Sequence, residues 1–481
     1  MDVVRTLAPG RDVSGRSSAL LVAVVLSILS LSVSRGGFSW AMLTGHLLLV
    51  LWLARLPFRE SRLAQARVEG SRFSSWLTIA MVLLCVGHAI RHRIRFPETP
   101  TVAVVVRAGV ILVAMLSLAQ LPIVARYLSA RRQYFLAGAA LVLATGLLLE
   151  VPLASPRPQI DVYVFQQEGA TALAEGKNPY AISYTNLYGY GTPSYPGGEP
   201  TAQPYPPLSF LFSLTSLATG DVRWALVFCH LFAALLLYLT ARALGLEQRE
   251  AVLMATLFFW VPGALFMVES AWTETTLVLA LAIFSYCLAR GRLFGAMVAA
   301  GMALALKQTM VVLVPFLVIL WPRVRLRHLL AATLFSLVSY VPFLIWDPRA
   351  LYEDLVLFHL ATPFRPDGST VSSALCQITG NPMPAWVSVA ALVVGLALWL
   401  PSIRRHVGPA ERNGALLWSL LFAGVASVYL TTLVFSKQAF YNYFYLVHFA
   451  LVAALCWSRG ADLETDSVVE HRVSPRVANG G

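Results

Sequence analysis

Charge is scarce in this chain. Only 12% of its 481 residues are Asp, Glu, Lys or Arg, about half the share of roughly 25% found in soluble domains. Lysine is scarcer still: Lys177, Lys307 and Lys437 stand against 33 arginines. With 58% hydrophobic residues and a mean hydropathy of +0.69, no stretch between the apolar runs is long enough to bury a core of its own, which excludes a large soluble domain. Cysteine is sparse as well. Of Cys85, Cys229, Cys287, Cys376 and Cys456, only Cys376 falls outside an apolar run, so there is neither a disulfide framework nor zinc spacing. The cysteines read as small apolar residues. His88 and His92 share a helix face, but flanking arginines oppose a cation there. No cofactor is expected, and a divalent metal has no support. The formal net charge of +12 raises nucleic acid as a partner, yet most arginines sit in short clusters between apolar runs, where they set membrane orientation. No nucleic-acid partner is expected.

What the chain does have is apolar runs of about 20 residues from end to end, the pattern of a polytopic membrane protein. The expected fold class is all-α, a transmembrane helical bundle of about 13–14 spans with the lipid bilayer as its surroundings. Arg5, Arg11 and Arg16 precede the run 18–33, which reads as an uncleaved first span. Arginine clusters then place both termini on the cytosolic face, and the opposite face receives the stretches 155–207 and 347–383 together with Lys307 and Lys437. One loop dissents: Arg91, Arg93 and Arg95 fall on the outer side. The tail 458–481 is short, polar and expected to be a disordered cytoplasmic segment.

The polar islands lie on one predicted face. Asp161 precedes VYVFQQEGATALAEG, a short amphipathic surface helix ended by Gly176. A tyrosine-rich run follows (Tyr180, Tyr184, Tyr188, Tyr190, Tyr195, Tyr205), broken by Pro and Gly and so irregular over 178–204. Residues 206–218 are too short for a span and read as a re-entrant or surface helix. Arg223 opens the next span beside Asp221, a charge needing either that local partner or a ligand. Lys307 sits where the short runs 293–306 and 309–321 meet. His359, Arg365 and Asp367 lie in the loop 347–383, and SKQAFYNYF opens the last span at Ser436. All three lysines fall on this face, which fits compact cations gathered around a phosphate.

The order of these features resembles the GT-C glycosyltransferases: Asp161, Gly176, Pro179-Tyr180 and Tyr205-Pro206-Pro207-Leu208 in a first outer loop, then ALALKQTMVVLVPFLV with a lysine turn, then SKQAFYNYF. The pattern is most similar to polyprenyl-phosphate-mannose-dependent alpha-1,2-mannosyltransferases. It covers about residues 134–457, with 154–221 and 347–383 as outer loops and 1–133 as a four-span N-terminal addition. It departs from them where relatives carry a Gly-Gln-Asn/Asp turn and this chain has GALFMVESAWTET, with Glu269 and Glu274. The resemblance implies transfer of a hexose, mannose favoured, from a polyprenyl-phosphate sugar donor to a glycan or glycolipid acceptor, with inversion. The site would lie on the extracytoplasmic side of a membrane, and the arginine-over-lysine bias points to a bacterial plasma (inner) membrane. It implies Asp161 as general base, Lys307, Lys437 and Arg223 on the donor phosphate, and Tyr180, Tyr205, Glu269, Glu274, Tyr441, Asn442, Tyr443 and His359 around sugar and acceptor. The rival is a multi-span transporter or flippase of lipid-linked sugars. That needs a polar path through the bilayer, whereas the polar residues here gather on one face.

Overall fold

The structure, a computed structural model, describes residues 13–33, 37–91, 94–189, 202–407 and 414–473. It is helical apart from a two-residue antiparallel ribbon, β1 (Val13–Ser14) against β2 (Arg67–Val68). The N-terminal part consists of α1 (Gly15–Ser32), α2 (Trp40–Gln65), α3 (Gly70–Arg91), α4 (Pro100–Leu118) and α5 (Ala130–Ala154). Then come α6 (Asp161–Ala174), α7 (Arg223–Ala243), α8 (Gln248–Phe259), α9 (Ala264–Glu269), α10 (Glu274–Ala289) and α11 (Leu293–Leu306). The last group is α12 (Leu313–Ile319), α13 (Leu326–Val338), α14 (Trp386–Arg405), α15 (Gly414–Val434) and α16 (Tyr441–Val473). Hydroxyl caps set several starts, with Ser14, Ser39, Thr99 and Ser129 each accepting a hydrogen bond from the first turn.

Among the described residues nine helices (α1–α5, α7 and α14–α16) are long and apolar enough to cross a membrane alone. The other spans expected in the sequence fall on shorter apolar helices, such as α10 and α11, or on runs that are broken. The run 251–268 stops at Trp260, where Pro262 and Gly263 intervene and Gly263 takes φ +88°. A Cβ at Gly263 would also strike the Tyr441 ring, 2.5 Å from its hydroxyl, so only glycine fits both demands. The run 328–346 breaks after Val338, and Pro342 starts a new turn over Val341–Trp346.

No boundary in the apolar core sets the first four helices apart from the rest of the described residues. One apolar core runs from Val13 to Ala461, in which α1 packs on α16, α2 on α15, α3 on α8 and α4 on α5. Nor is the whole tail loose. Helix α16 continues to Val473, and Ser458, Arg459 and Asp462 are buried. Arg459 pairs with Glu250 at 2.6 Å and with Asp462 at 3.0 Å, while Asp462 accepts from the Ser17 hydroxyl at 2.8 Å. These polar contacts need partners in an apolar setting, and they dock the start of the tail against α1 and α8. Residues 474–481 lie outside the described residues.

Candidate functional site

Asp161 is the first residue of α6, its Oδ1 accepting from the Val162 amide at 2.9 Å. The Tyr188 hydroxyl lies 3.4 Å from that same oxygen and accepts from the Asp161 amide at 3.2 Å. Partial burial, and next the Asp161 charge, hold the Tyr188 phenol above its ordinary pKa, so it serves as a donor. Gly176, with φ +73°, ends the helical stretch as the sequence predicts. The Gln166 amide donates to the Ala271 carbonyl, tying α6 to the turn between α9 and α10.

Lys307 follows the last residue of α11 and is buried against the Glu274 carboxylate at the start of α10. The Asn442 amide donates to the same carboxylate at 2.7 Å, and the Tyr443 ring lies 4.4 Å from the Lys307 ammonium, a cation–π contact. The Asn442 amide oxygen meets no donor among the described residues. The His359 Nε2 lies 3.0 Å from the Pro204 carbonyl. Burial first, then the charges of Lys307 and Lys437, keep its pKa below the usual value, so it is neutral at pH 7.

Both groups line one cavity of about 430 Å³, together with Arg95, Tyr188, Tyr205, Trp272, Gln308, Arg365 and Asp367. Its volume is in the range of small-molecule sites. A second cavity, of about 410 Å³, lies between α3, α4, α5 and α8 and has no carboxylate in its lining.

Of the residues singled out in the sequence, Asp161, Lys307, Tyr205, His359, Asn442 and Tyr443 therefore line one space, with Glu274 behind Lys307. Arg365 and Asp367 line it as well, paired with each other at 2.8 Å, whereas Arg223, Lys437, Tyr180, Tyr441 and Glu269 do not. Arg223 is fully buried; its guanidinium pairs with Asp221 and donates to the carbonyls of Ser155 at 2.6 Å and Pro152 at 3.1 Å. It thus closes the C-terminal end of α5, as a buried charge requires. Lys437 donates to the carbonyls of His359 and Thr362, each at 2.8 Å, and tethers that turn. Tyr180 packs between Phe210 and Phe343 and donates to the Tyr205 carbonyl at 2.8 Å, holding the Tyr-Pro-Pro turn rather than offering a face to a sugar. Tyr441 is buried and stacks on Trp272. Glu269 accepts from the backbone amides of Arg95 and Phe96 at 2.8 Å each. Tyr190 and Tyr195 lie outside the described residues.

Comparisons with protein-family models, with curated proteins and with solved structures each return no match for this chain. What the cavity can do rests on its own chemistry: the half-buried Asp161 carboxylate with a phenol donor, the Arg365–Asp367 pair, and the Lys307 cation set among hydrogen-bonding groups and aromatic faces. Among the described residues no group of three His, Cys, Asp or Glu is placed to hold a metal. The sequence reading missed Arg95, Trp272 and Gln308 as cavity residues, and named Tyr188 only as one of the tyrosine-rich run. For Arg95 a signal existed, since it belongs to the arginine loop that broke the orientation pattern. For Trp272 there was none beyond its place next to Glu274.

Proposed function

We propose that this membrane protein is a glycosyltransferase of GT-C type, moving a hexose from a polyprenyl-phosphate donor to a hydroxyl of a glycan or glycolipid acceptor. Asp161 takes the proton from the acceptor hydroxyl. The acceptor oxygen attacks the anomeric carbon, the bond from that carbon to the donor phosphate oxygen breaks, and the polyprenyl phosphate leaves with the electron pair. Attack from the face opposite the leaving group inverts the configuration. Such a reaction needs a base on one side of the sugar and positive charge on the other.

The observation that carries this reading is that Asp161 and Lys307, 146 positions apart in the sequence, line the same cavity from different elements. In this reading Lys307 faces the donor phosphate, while the Asn442 oxygen and the neutral His359 hydrogen-bond sugar hydroxyls. Tyr205 and Trp272 give the ring flat surfaces. Mannose is the favoured sugar by resemblance alone, as is placement of the site on the extracytoplasmic side of a bacterial plasma membrane.

The test is to supply purified protein with a panel of radiolabelled polyprenyl-phosphate sugars and measure which is consumed. Asp161→Asn should abolish transfer, by 100-fold or more on the usual scale of general-base catalysis of about 10²–10⁴, while the variant elutes as folded protein. Full activity in Asp161→Asn would overturn the mechanism.

A further inference from the structure

Three Arg or Lys side chains line the cavity among the described residues, and two are already matched. Lys307 is paired with Glu274. Arg365 is paired with Asp367 at 2.8 Å and lies over the Phe440 ring. Arg95 has no carboxylate partner among the described residues; its guanidinium lies 5.3 Å from the Phe96 ring, and its side chain is exposed to the cavity. A cavity-wall arginine whose guanidinium has no carboxylate partner among the described residues is poised for an oxyanion, since its planar fork matches phosphate and carboxylate.

The backbone beneath it is held firmly. Glu269, fully buried, accepts from the Arg95 amide at 2.8 and 2.9 Å and from the Phe96 amide at 2.8 Å. A buried carboxylate so engaged fixes the segment without using the guanidinium at all. The four N-terminal helices, which lie outside the region of resemblance, thereby contribute a charged group to the cavity formed by the rest of the chain.

We propose that Arg95 is a substrate-binding residue that holds a phosphate-type oxyanion in this cavity. This rests on the reading of the cavity as a substrate site. The anion has two possible sources, the donor lipid phosphate or a phosphate carried by a lipid acceptor, and the two are separable. Full-length protein in nanodiscs of neutral zwitterionic lipid is titrated with undecaprenyl phosphate against undecaprenol, and with phosphatidylglycerol against diacylglycerol. Within each pair the chain is constant and only the anion differs. Arg95→Gln keeps the backbone amide that Glu269 accepts, so folding is expected to survive. Arg157→Gln, an exposed arginine outside the cavity, is the control.

The wild type should prefer the anionic member of a pair, and Arg95→Gln should cut that preference by about 10- to 100-fold, the range for one charge-assisted hydrogen bond, with no change in Arg157→Gln. Loss confined to the undecaprenyl pair assigns Arg95 to the donor; loss confined to the glycerolipid pair assigns it to the acceptor. Preference retained in both pairs by Arg95→Gln, or absent from both in the wild type, overturns the inference. A wild type that ignores the undecaprenyl phosphate while binding the anionic glycerolipid through Arg95 refutes the donor named above and leaves this inference standing.

Discussion

Lys307 stands between two roles, and a mutant cycle separates them. Its side chain is 8% exposed and the Glu274 side chain 1% exposed. Lys307→Met leaves that carboxylate with only the Asn442 amide donor. Removing one partner of a buried pair strands the other charge and costs about 3–5 kcal/mol, and the lost Tyr443 contact adds about 0.5–2 kcal/mol. Glu274→Gln keeps a hydrogen-bonding oxygen for Lys307 but leaves an unmatched ammonium, at a similar or smaller cost. In the double variant Lys307→Met, Glu274→Gln no charge is stranded. Replacement of a whole buried pair is often close to neutral, so the double variant should lose far less than the sum of the singles, a coupling of about 3 kcal/mol or more. Reversible unfolding in mixed micelles, followed by tryptophan fluorescence, reads the cycle. Additive single effects would refute the pair as a structural unit. Sugar transfer is the second readout: if Lys307 also meets a donor phosphate, the double variant is stable and still inactive. Activity that returns along with stability would reduce Lys307 to a structural residue.

Lys437→Met should remove the two hydrogen bonds to the His359 and Thr362 carbonyls, loosening that turn by about 1–3 kcal/mol. Donor KM should change much less than in Lys307→Met, which steady-state kinetics of the two variants would show; equal shifts would return Lys437 to the donor. Asp354, outside the long apolar helices, accepts from the Gln203 amide at 2.7 Å, and burial above all pushes its pKa up to about 7. The unfolded carboxyl titrates near 4, so between about pH 4 and 7 the folded chain holds the extra proton. Stability contributed by this group therefore falls as pH rises through that window and is level above it. Melting temperatures at pH 5 and pH 8 should differ in the wild type by more than in Asp354→Asn, and an equal difference would sink the assignment.

The apolar helices were legible because a membrane imposes one rule on long segments: satisfy the backbone internally and expose apolar side chains. Short segments escaped it. The break at Trp260 depends on Pro262 and on how closely Gly263 approaches the Tyr441 hydroxyl, a contact across 178 positions that no local pattern contains. Asp161, Lys307, His359, Asn442 and Tyr443 were legible as members of polar islands. Tyr180 shows where that reasoning fails, since an aromatic in a polar loop serves as well for holding the loop as for meeting a ligand. Lys437 was read as waiting for a phosphate and is matched by carbonyl oxygens of the chain itself; Arg223 was read as needing either Asp221 or a ligand, and it has Asp221 and two carbonyl oxygens besides. Backbone acceptors cannot be seen in a sequence, so the pairing of a cation is the property that sequence reading resolves least.

The residues that broke a local rule carry more information than those that obeyed one. Arg95 violates the arginine pattern that orients the other loops, and it lines the cavity beside Asp161. Glu269 and Glu274 are acids in a turn between apolar segments; the first fixes the backbone of Arg95, the second matches Lys307. A charge in an apolar setting persists only if something compensates for it, and for these acids the compensation lies on elements distant in sequence. Glu269 thus holds the backbone of one cavity residue, Arg95, and Glu274 holds two others, Lys307 and Asn442. The two glutamates are joined by the four-residue turn 270–273, whose Trp272 lines the same cavity. A change at either glutamate should therefore be felt at Trp272 as well as at the residues it holds.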